Sequence, residues 1–249
     1  MYIARPMRKS SWLVALTLIA GCSSTPAQPA APSSAAVTVI AVTGQDLLLV
    51  GQTETFTATG DAGAPIAARW GSDAPSVATV DSTGRVTAVG TGTATIFADA
   101  NGIRGTKLIR TLPNFGGDWS VFYRALRCEA SGDFLRSGSC DSPPDTMHLT
   151  LSQNREGISG RFHMTDDWLS YLFTTDDLSG SVLVDGTLSF TVTARFQYDL
   201  LIENVRFQLQ PTGELRGTFE QVWTGGSSGR VGALRYFFEL TRATRVKGG

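Results

Sequence analysis

The sequence predicts an all-β protein, a two-sheet sandwich followed by an antiparallel meander or an up-and-down β-barrel, and three observations carry the prediction. Between Val37 and Leu240, short runs alternate apolar and polar residues, the period of a half-buried strand. Asn-, Asp- and Gly-rich turn signals separate the runs, and between Val37 and Leu112 no stretch holds a helical period long enough to matter. Composition fits real cores: 42% of the 249 residues are hydrophobic and 17% charged, too few for a disordered polyelectrolyte. The formal charge of −1 offers no basic excess for nucleic acid.

At the amino terminus Arg5, Arg8 and Lys9 precede an apolar run from Trp12 to Ala20. That run is shorter than the roughly 18–20 residues of a membrane-spanning helix and reads as a secretion signal. It ends in Ile19-Ala20-Gly21-Cys22, which resembles the bacterial lipoprotein box. Two mild departures are Ile19, where Leu is commoner, and Met7, an alternative start. The resemblance implies that residues 1–21 are a signal peptide and that Cys22 becomes the lipidated amino terminus. Removing the signal leaves 18 basic against 22 acidic residues, a charge of −4, so the expected membrane partner is reached through lipid on Cys22 and not through a basic surface. In Gram-negative lipoproteins an Asp after the cysteine is the usual inner-membrane retention signal; Ser23 stands there instead, which favours the outer membrane. Residues 22–36 hold no large apolar side chain and read as a flexible linker.

In residues 37–113 about seven short strands are expected, with alternation at Val37, Val39 and Ala41, at Phe56 and Ala58, and at Ala94, Ile96 and Ala98. Turn chemistry lies at Asp61 to Gly63, Asp81 to Gly84 and Asn101-Gly102. Val50-Gly51-Gln52-Thr53, Trp70-Gly71-Ser72, Val77 to Asp81, Gly84 to Val89 and Gly92 to Ile96 follow one another in order. The series resembles the bacterial immunoglobulin-like domain of group 2, with Gly71 standing where that family more often has Ser. The resemblance implies that Trp70 is an inward residue of a central strand, that Val80 and Val86 flank a hairpin, and that the module is a spacer, though some members bind carbohydrate.

Pro113 and Gly116-Gly117 have a hinge composition. Residues 116–245 then carry eight or nine strand patterns, starting at Asp118–Arg127 and ending at Leu234–Leu240, mostly joined by short turns. Successive strands should therefore be antiparallel neighbours, and closure would remove exposed edges. Ile158-x-Gly160-x-Phe162, Leu178-x-Gly180-x-Val182 and Leu215-x-Gly217-x-Phe219 repeat one order, where the glycine marks curvature or close approach. Gly117-Asp118-Trp119 resembles the Gly-x-Trp of lipocalins, where the tryptophan closes one end of the barrel beneath an arginine, a role open to Arg235 or Arg242. The resemblance implies an up-and-down, lipocalin-like barrel and suggests a small apolar ligand.

Of the three cysteines, lipidation of Cys22 leaves Cys128 and Cys140 as an even pair, and export to an oxidising compartment favours a disulfide between them. No metal and no cofactor is expected, and no nucleophile-elbow, zinc-helix or phosphate-loop motif accompanies His148 and His163, which fall on polar strand faces. Acids and aromatics crowd together once, in Asp166, Asp167, Trp168, Tyr171, Asp176 and Asp177. That cluster reads as a packed hairpin with acidic turns, as a binding lip whose paired acids could hold a calcium ion and whose aromatics could stack on a sugar or cover a cavity mouth, or as a paired-carboxylate catalytic site. The expected function is non-enzymatic: a lipid-anchored envelope protein whose spacer presents the barrel for binding or adhesion. Its candidate partners are an envelope glycan, a surface protein or a small apolar ligand. Carriage of that apolar ligand inside the barrel and an unrecognised enzyme are the alternatives.

Overall fold

The computed structural model describes residues 38–61, 63–136, 146–164, 174–195 and 199–246. The chain divides into two units, Met1–Ala36 and Val37–Gly249. Every described strand lies in the second unit, in two β modules.

The first module holds β1 (Ala41–Thr43), β2 (Leu47–Leu49), β3 (Thr53–Thr55), β4 (Thr57–Thr59), β5 (Arg69–Ser72), β6 (Ala78–Val80), β7 (Arg85–Ala88), β8 (Gly92–Ala100) and β9 (Ile103–Leu112). They form a four-stranded sheet ordered β2-β9-β8-β5, a three-stranded sheet ordered β3-β7-β6 and a β1-β4 pair. Alternation is the physical cause: Ala94, Ile96 and Ala98 on β8 and Val86 and Ala88 on β7 face one buried core that also holds Phe56 and Ile109. Val80 pairs with Val86 across the β6–β7 hairpin, as expected. Trp70 packs against this core as a half-buried residue, but its strand is a correction, because β5 is the edge of its sheet and not a central strand. The unusual Gly71 has a steric reason: a Cβ there would lie 2.3 Å from the Phe97 ring, which occupies that space.

The second module holds β10 (Gly117–Ala130), β11 (Thr146–Asn154), β12 (Gly157–Met164), β13 (Thr174–Val182), β14 (Leu188–Arg195), β15 (Asp199–Leu209), β16 (Leu215–Thr224) and β17 (Ala233–Arg245). These eight strands pair antiparallel in sequence order, and β10 closes the barrel against β17. Close approach explains the repeated glycines, since a Cβ at Gly160 would lie 2.0 Å from the Thr150 carbonyl oxygen. Aromatic rings fill the described interior: Tyr123 meets Phe219 edge-on at 4.9 Å, and Phe219 stacks on Phe238 at 5.0 Å. Phe207 and Phe190 continue the layer. Among the described residues, aromatic packing fills this part of the interior.

The Gly-rich junction is not a hinge. Phe115 is fully buried and joins the barrel core together with Leu47, Leu49 and Leu112 from the first module. On β2 all three leucines are buried: Leu47 and Leu49 belong to the barrel core, whereas Leu48 turns into the sandwich core. Period-two alternation thus splits one strand between two cores. Backbone groups of the junction are tied as well. Gln153 accepts from Phe115 N–H at 2.7 Å through Oε1 and donates to the Pro113 carbonyl at 3.1 Å through Nε2. Trp119 Nε1 donates to the Phe115 carbonyl at 2.8 Å, and Arg245 donates to the Asn114 carbonyl at 2.6 Å. Arg110 pairs with Glu156 at 2.6 Å and Arg155 with Asp46 at 3.2 Å across the same boundary.

Candidate binding surface

Topology gives the barrel two unlike ends. The turns after β11, β13 and β15 lie at the end that receives the sandwich, where Gly186 approaches Pro113 and Arg155 meets Asp46. The connections after β10, β12, β14 and β16 lie at the opposite, distal end. Two described segments clasp each other there. Asp133 N–H donates to the Val231 carbonyl at 2.8 Å, and Asp133 Oδ2 accepts from Val231 N–H at 2.9 Å. Gly132 permits the approach with φ of 58°, because a Cβ would lie 2.2 Å from the Val231 oxygen. Phe134 turns into the core under the Arg230 guanidinium, while Leu135 and Val231 remain 68% and 72% exposed. Two large apolar side chains on one rim form a small contact patch, with Arg230 as its charged neighbour.

Beneath this rim the interior becomes polar. Gln221 is fully buried, and its amide lies 3.4 Å from both the Tyr123 hydroxyl and Trp223 Nε1. Each polar atom of the cluster has a partner, which is the condition for burying an amide without a large desolvation cost. On the outer wall Arg235 bridges Glu203 and Glu220, and its pKa is raised by the hydrogen bond to Glu220 and the charge of both carboxylates. The lowered carboxylates lie mainly in sandwich turns. Asp81 is held down by hydrogen bonds from Thr83 and Arg85, and Asp73 by those from Thr95. Hydrogen bonds donated by Thr side chains and backbone N–H groups account for these shifts, locally in the turn at Asp81 and across strands at Asp73.

The sequence-predicted residues are distributed unevenly. Asp166, Asp167, Trp168 and Tyr171 lie outside the described residues. Asp176 and Asp177 belong to the backbone of β13 instead of a turn, because that strand starts four residues before the expected Leu178. Cys22 and Cys140 lie outside the described residues, and Cys128 on β10 is disulfide-bonded. The segment after Cys128 is not wholly loop, since β10 runs on to Ala130 and a 3₁₀ turn follows at Gly132–Arg136. Both histidines do face outward, and they are direct cross-strand partners, a pairing not anticipated from the sequence. The arginine over Trp119 is Arg245, 4.9 Å from the ring. Arg235 is engaged with its two glutamates and Arg242 stacks on Phe122, so neither performs the expected role. Among the described residues no group of three or more His, Cys, Asp or Glu side chains could enclose a metal ion.

Two shallow depressions mark the outside. One of about 380 Å³ is lined by Thr187, Arg206, Gln208, Arg216 and Gly217, and the other, about 290 Å³, lies at the junction between Val50, Asn114, Leu209, Gly213 and Arg245.

Residues 36–107 match the family model of the bacterial Ig-like domain, group 2. No curated protein sequence matches the chain. Among solved structures the chain is similar to domains 5–6 of the S-layer protein SbsC, at 13% identity over 81% of this chain and 96% of that one, with a TM-score of 0.26. Domains 4–9 of that protein align at 12% identity over 81% of this chain and 31% of theirs, with a TM-score of 0.26. Domains 1–6 align at 13% identity over 80% and 27%, with a TM-score of 0.25. The chain therefore spans under a third of those two longer structures.

Proposed function

We propose that the protein is a non-enzymatic, lipid-anchored component of a bacterial cell envelope that presents the distal end of its barrel for binding or adhesion. One observation carries this reading: the described chain enters the sandwich at the end remote from the barrel. Ile40 packs against Gly105, which lies seven residues before Leu112 along β9, roughly 23 Å at the rise of a strand. Thr38 is fastened beside it by Asp61. The described distal segments Gly132–Arg136 and Gly226–Ser228 therefore stand at the opposite extreme of a tied body. An anchor at Cys22, cleavage after Gly21 and a linker to residue 36 would place that end outward from the membrane, and Ser23 favours the outer membrane of a Gram-negative host. In this reading Cys140 is the partner of Cys128, and closing their loop contributes on the order of 3 kcal/mol. The favoured partner is an envelope glycan, on which Trp168 and Tyr171 would stack.

Palmitate labelling of cells that express the full chain, compared with Cys22→Ala, tests the anchor: label is expected on the wild type and lost from the variant, and label that survives the substitution overturns it. Native mass spectrometry of the full chain with solubilised envelope glycans tests the presented end. A glycan adduct that disappears in a Trp168→Ala, Tyr171→Ala double variant is expected, whereas an adduct that both proteins retain refutes the assigned surface.

A further inference from the structure

We propose that His148 and His163 form a two-imidazole site for a first-row transition-metal ion on the outer wall of the barrel. The two residues are directly opposed on β11 and β12, and their rings lie 6.5 Å apart between centroids with planes 24° from parallel. A metal–nitrogen bond of about 2.0–2.1 Å, plus roughly 1.1 Å from nitrogen to ring centre, puts each centroid about 3.2 Å from a shared ion. Two such rings have centroids about 5.2 Å apart at a tetrahedral angle and about 6.4 Å apart when collinear. The unliganded separation of 6.5 Å lies just beyond the collinear limit, so side-chain rotation has to bring the rings together by about 1.3 Å for a tetrahedral ion and by about 2 Å for adjacent positions of a tetragonal one.

The backbone under the pair is fixed. Leu149 and Phe162, the neighbours of the two histidines, are fully buried, and the β11–β12 register is continuous from Met147 with Met164 to Asn154 with Gly157. Across the wall the histidines continue a row of directly opposed residues: Thr244, Ser120, His148, His163 and Thr174. No fixed charge belongs to that row. In the next row Asp118 accepts from the Thr150 hydroxyl at 2.7 Å and Arg161 faces Thr150, so one negative and one positive charge lie at similar remove. On the other side Arg242 is drawn over Phe122. The imidazoles determine the choice of ion. Imidazole suits copper, nickel, zinc and iron, and not magnesium or calcium, with Cu²⁺ bound most tightly among the divalent ions. With two protein ligands the remaining coordination positions stay open to water, the arrangement of an exchangeable site and not of a closed structural one.

The test uses the full chain, purified without a polyhistidine tag and freed of metal, titrated with Cu²⁺ and read by calorimetry and electron paramagnetic resonance. His148→Gln and His163→Gln are the variants, with unchanged metal-free melting as the control that both still fold. The expected result is one Cu²⁺ ion coupled to two nitrogens in the wild type, with affinity lowered at least tenfold in each single variant. Wild-type copper coupled to one nitrogen, no saturable binding, or a single variant that binds as the wild type does would each overturn the proposal.

Discussion

Replacing Phe115 by Ala should destabilise both modules together, and the structure sets the scale. The ring is fully buried within the barrel core, beside a strand whose Leu47 and Leu49 come from the sandwich. Removing a fully buried Phe side chain costs about 3–5 kcal/mol, the transfer of the ring plus the cavity it leaves. For a folded unit of roughly 150–250 residues each kcal/mol moves the melting midpoint by about 2–4 °C, so the fall should be about 6–20 °C. A hinge would behave differently, because a solvated linker side chain can be truncated at a cost within about 0.5 kcal/mol. The ion pairs across the junction do not blur the comparison: Arg110–Glu156 and Arg155–Asp46 are open to solvent, are screened, and set orientation more than stability. The assay is calorimetric melting of the full chain beside Leu108→Ala, whose side chain is 65% exposed on β9. One cooperative transition that moves as a whole in Phe115→Ala, and hardly at all in the control, is expected. A Phe115→Ala midpoint no lower than that of the control would refute the tied junction, and so would two separated wild-type transitions of which only one responds.

Two further perturbations probe the modules separately. Asp61, Asp73, Asp81 and Asp99 of the sandwich all have carboxyls held below the ordinary value of 3.8 by hydrogen bonds made in the folded state. A lowered folded pKa adds stability that is present above 3.8 and lost as the pH falls through the folded values, so the melting midpoint should be flat above that point and drop below it. Asp81→Asn should make the acid limb shallower, because the Asp81 Oδ1 atom collects the Thr83 hydroxyl at 2.7 Å and the Thr83 and Arg85 N–H groups; an unchanged acid limb would count against the assignment. In the barrel, Gly217→Ala would force a Cβ to within 1.8 Å of the Arg206 carbonyl oxygen at a φ of 150°. Strain of this kind costs on the order of 1–3 kcal/mol, and a denaturant midpoint equal to that of the wild type would show that β15 and β16 do not approach so closely there.

The eight barrel strands were legible because each buries one face, so their period of two is written into residues such as Met147, Leu149 and Leu151. The sandwich was legible through its turns, where Asn101-Gly102 and Asp81 to Gly84 leave few backbone options. Which arginine covers Trp119 was not legible, for a geometric reason. The last strand was expected to stop at Leu240, but β17 runs on to Arg245, and the two register slips of β10 against β17 cancel, which leaves Arg245 directly opposite Trp119. The His148–His163 pairing was hidden likewise, since it depends on the register of a hairpin and not on either residue's own pattern. Of the acidic-aromatic candidate site, the sequence specified the residues, and the fold assigns Asp176 and Asp177 to β13.

The junction was misread because composition describes what a chain permits, and packing decides what it does. Two glycines after Pro-Asn-Phe permit a hinge, yet Gly117 is already the first residue of β10, and its φ of 119° turns the chain so that Phe115 and Trp119 both enter the barrel end. One signal pointed the other way. Leu47-Leu48-Leu49 has no polar member, which a strand on the surface of a free sandwich would need, and an uninterrupted apolar run marks a strand buried on both faces. The second buried face has to come from another body, and here it is the barrel, whose open end would otherwise expose Trp119 and Leu151 to water. The immunoglobulin-like module is therefore more than a spacer. It completes the barrel's hydrophobic core, which ties the direction of the barrel's distal end to that of the module.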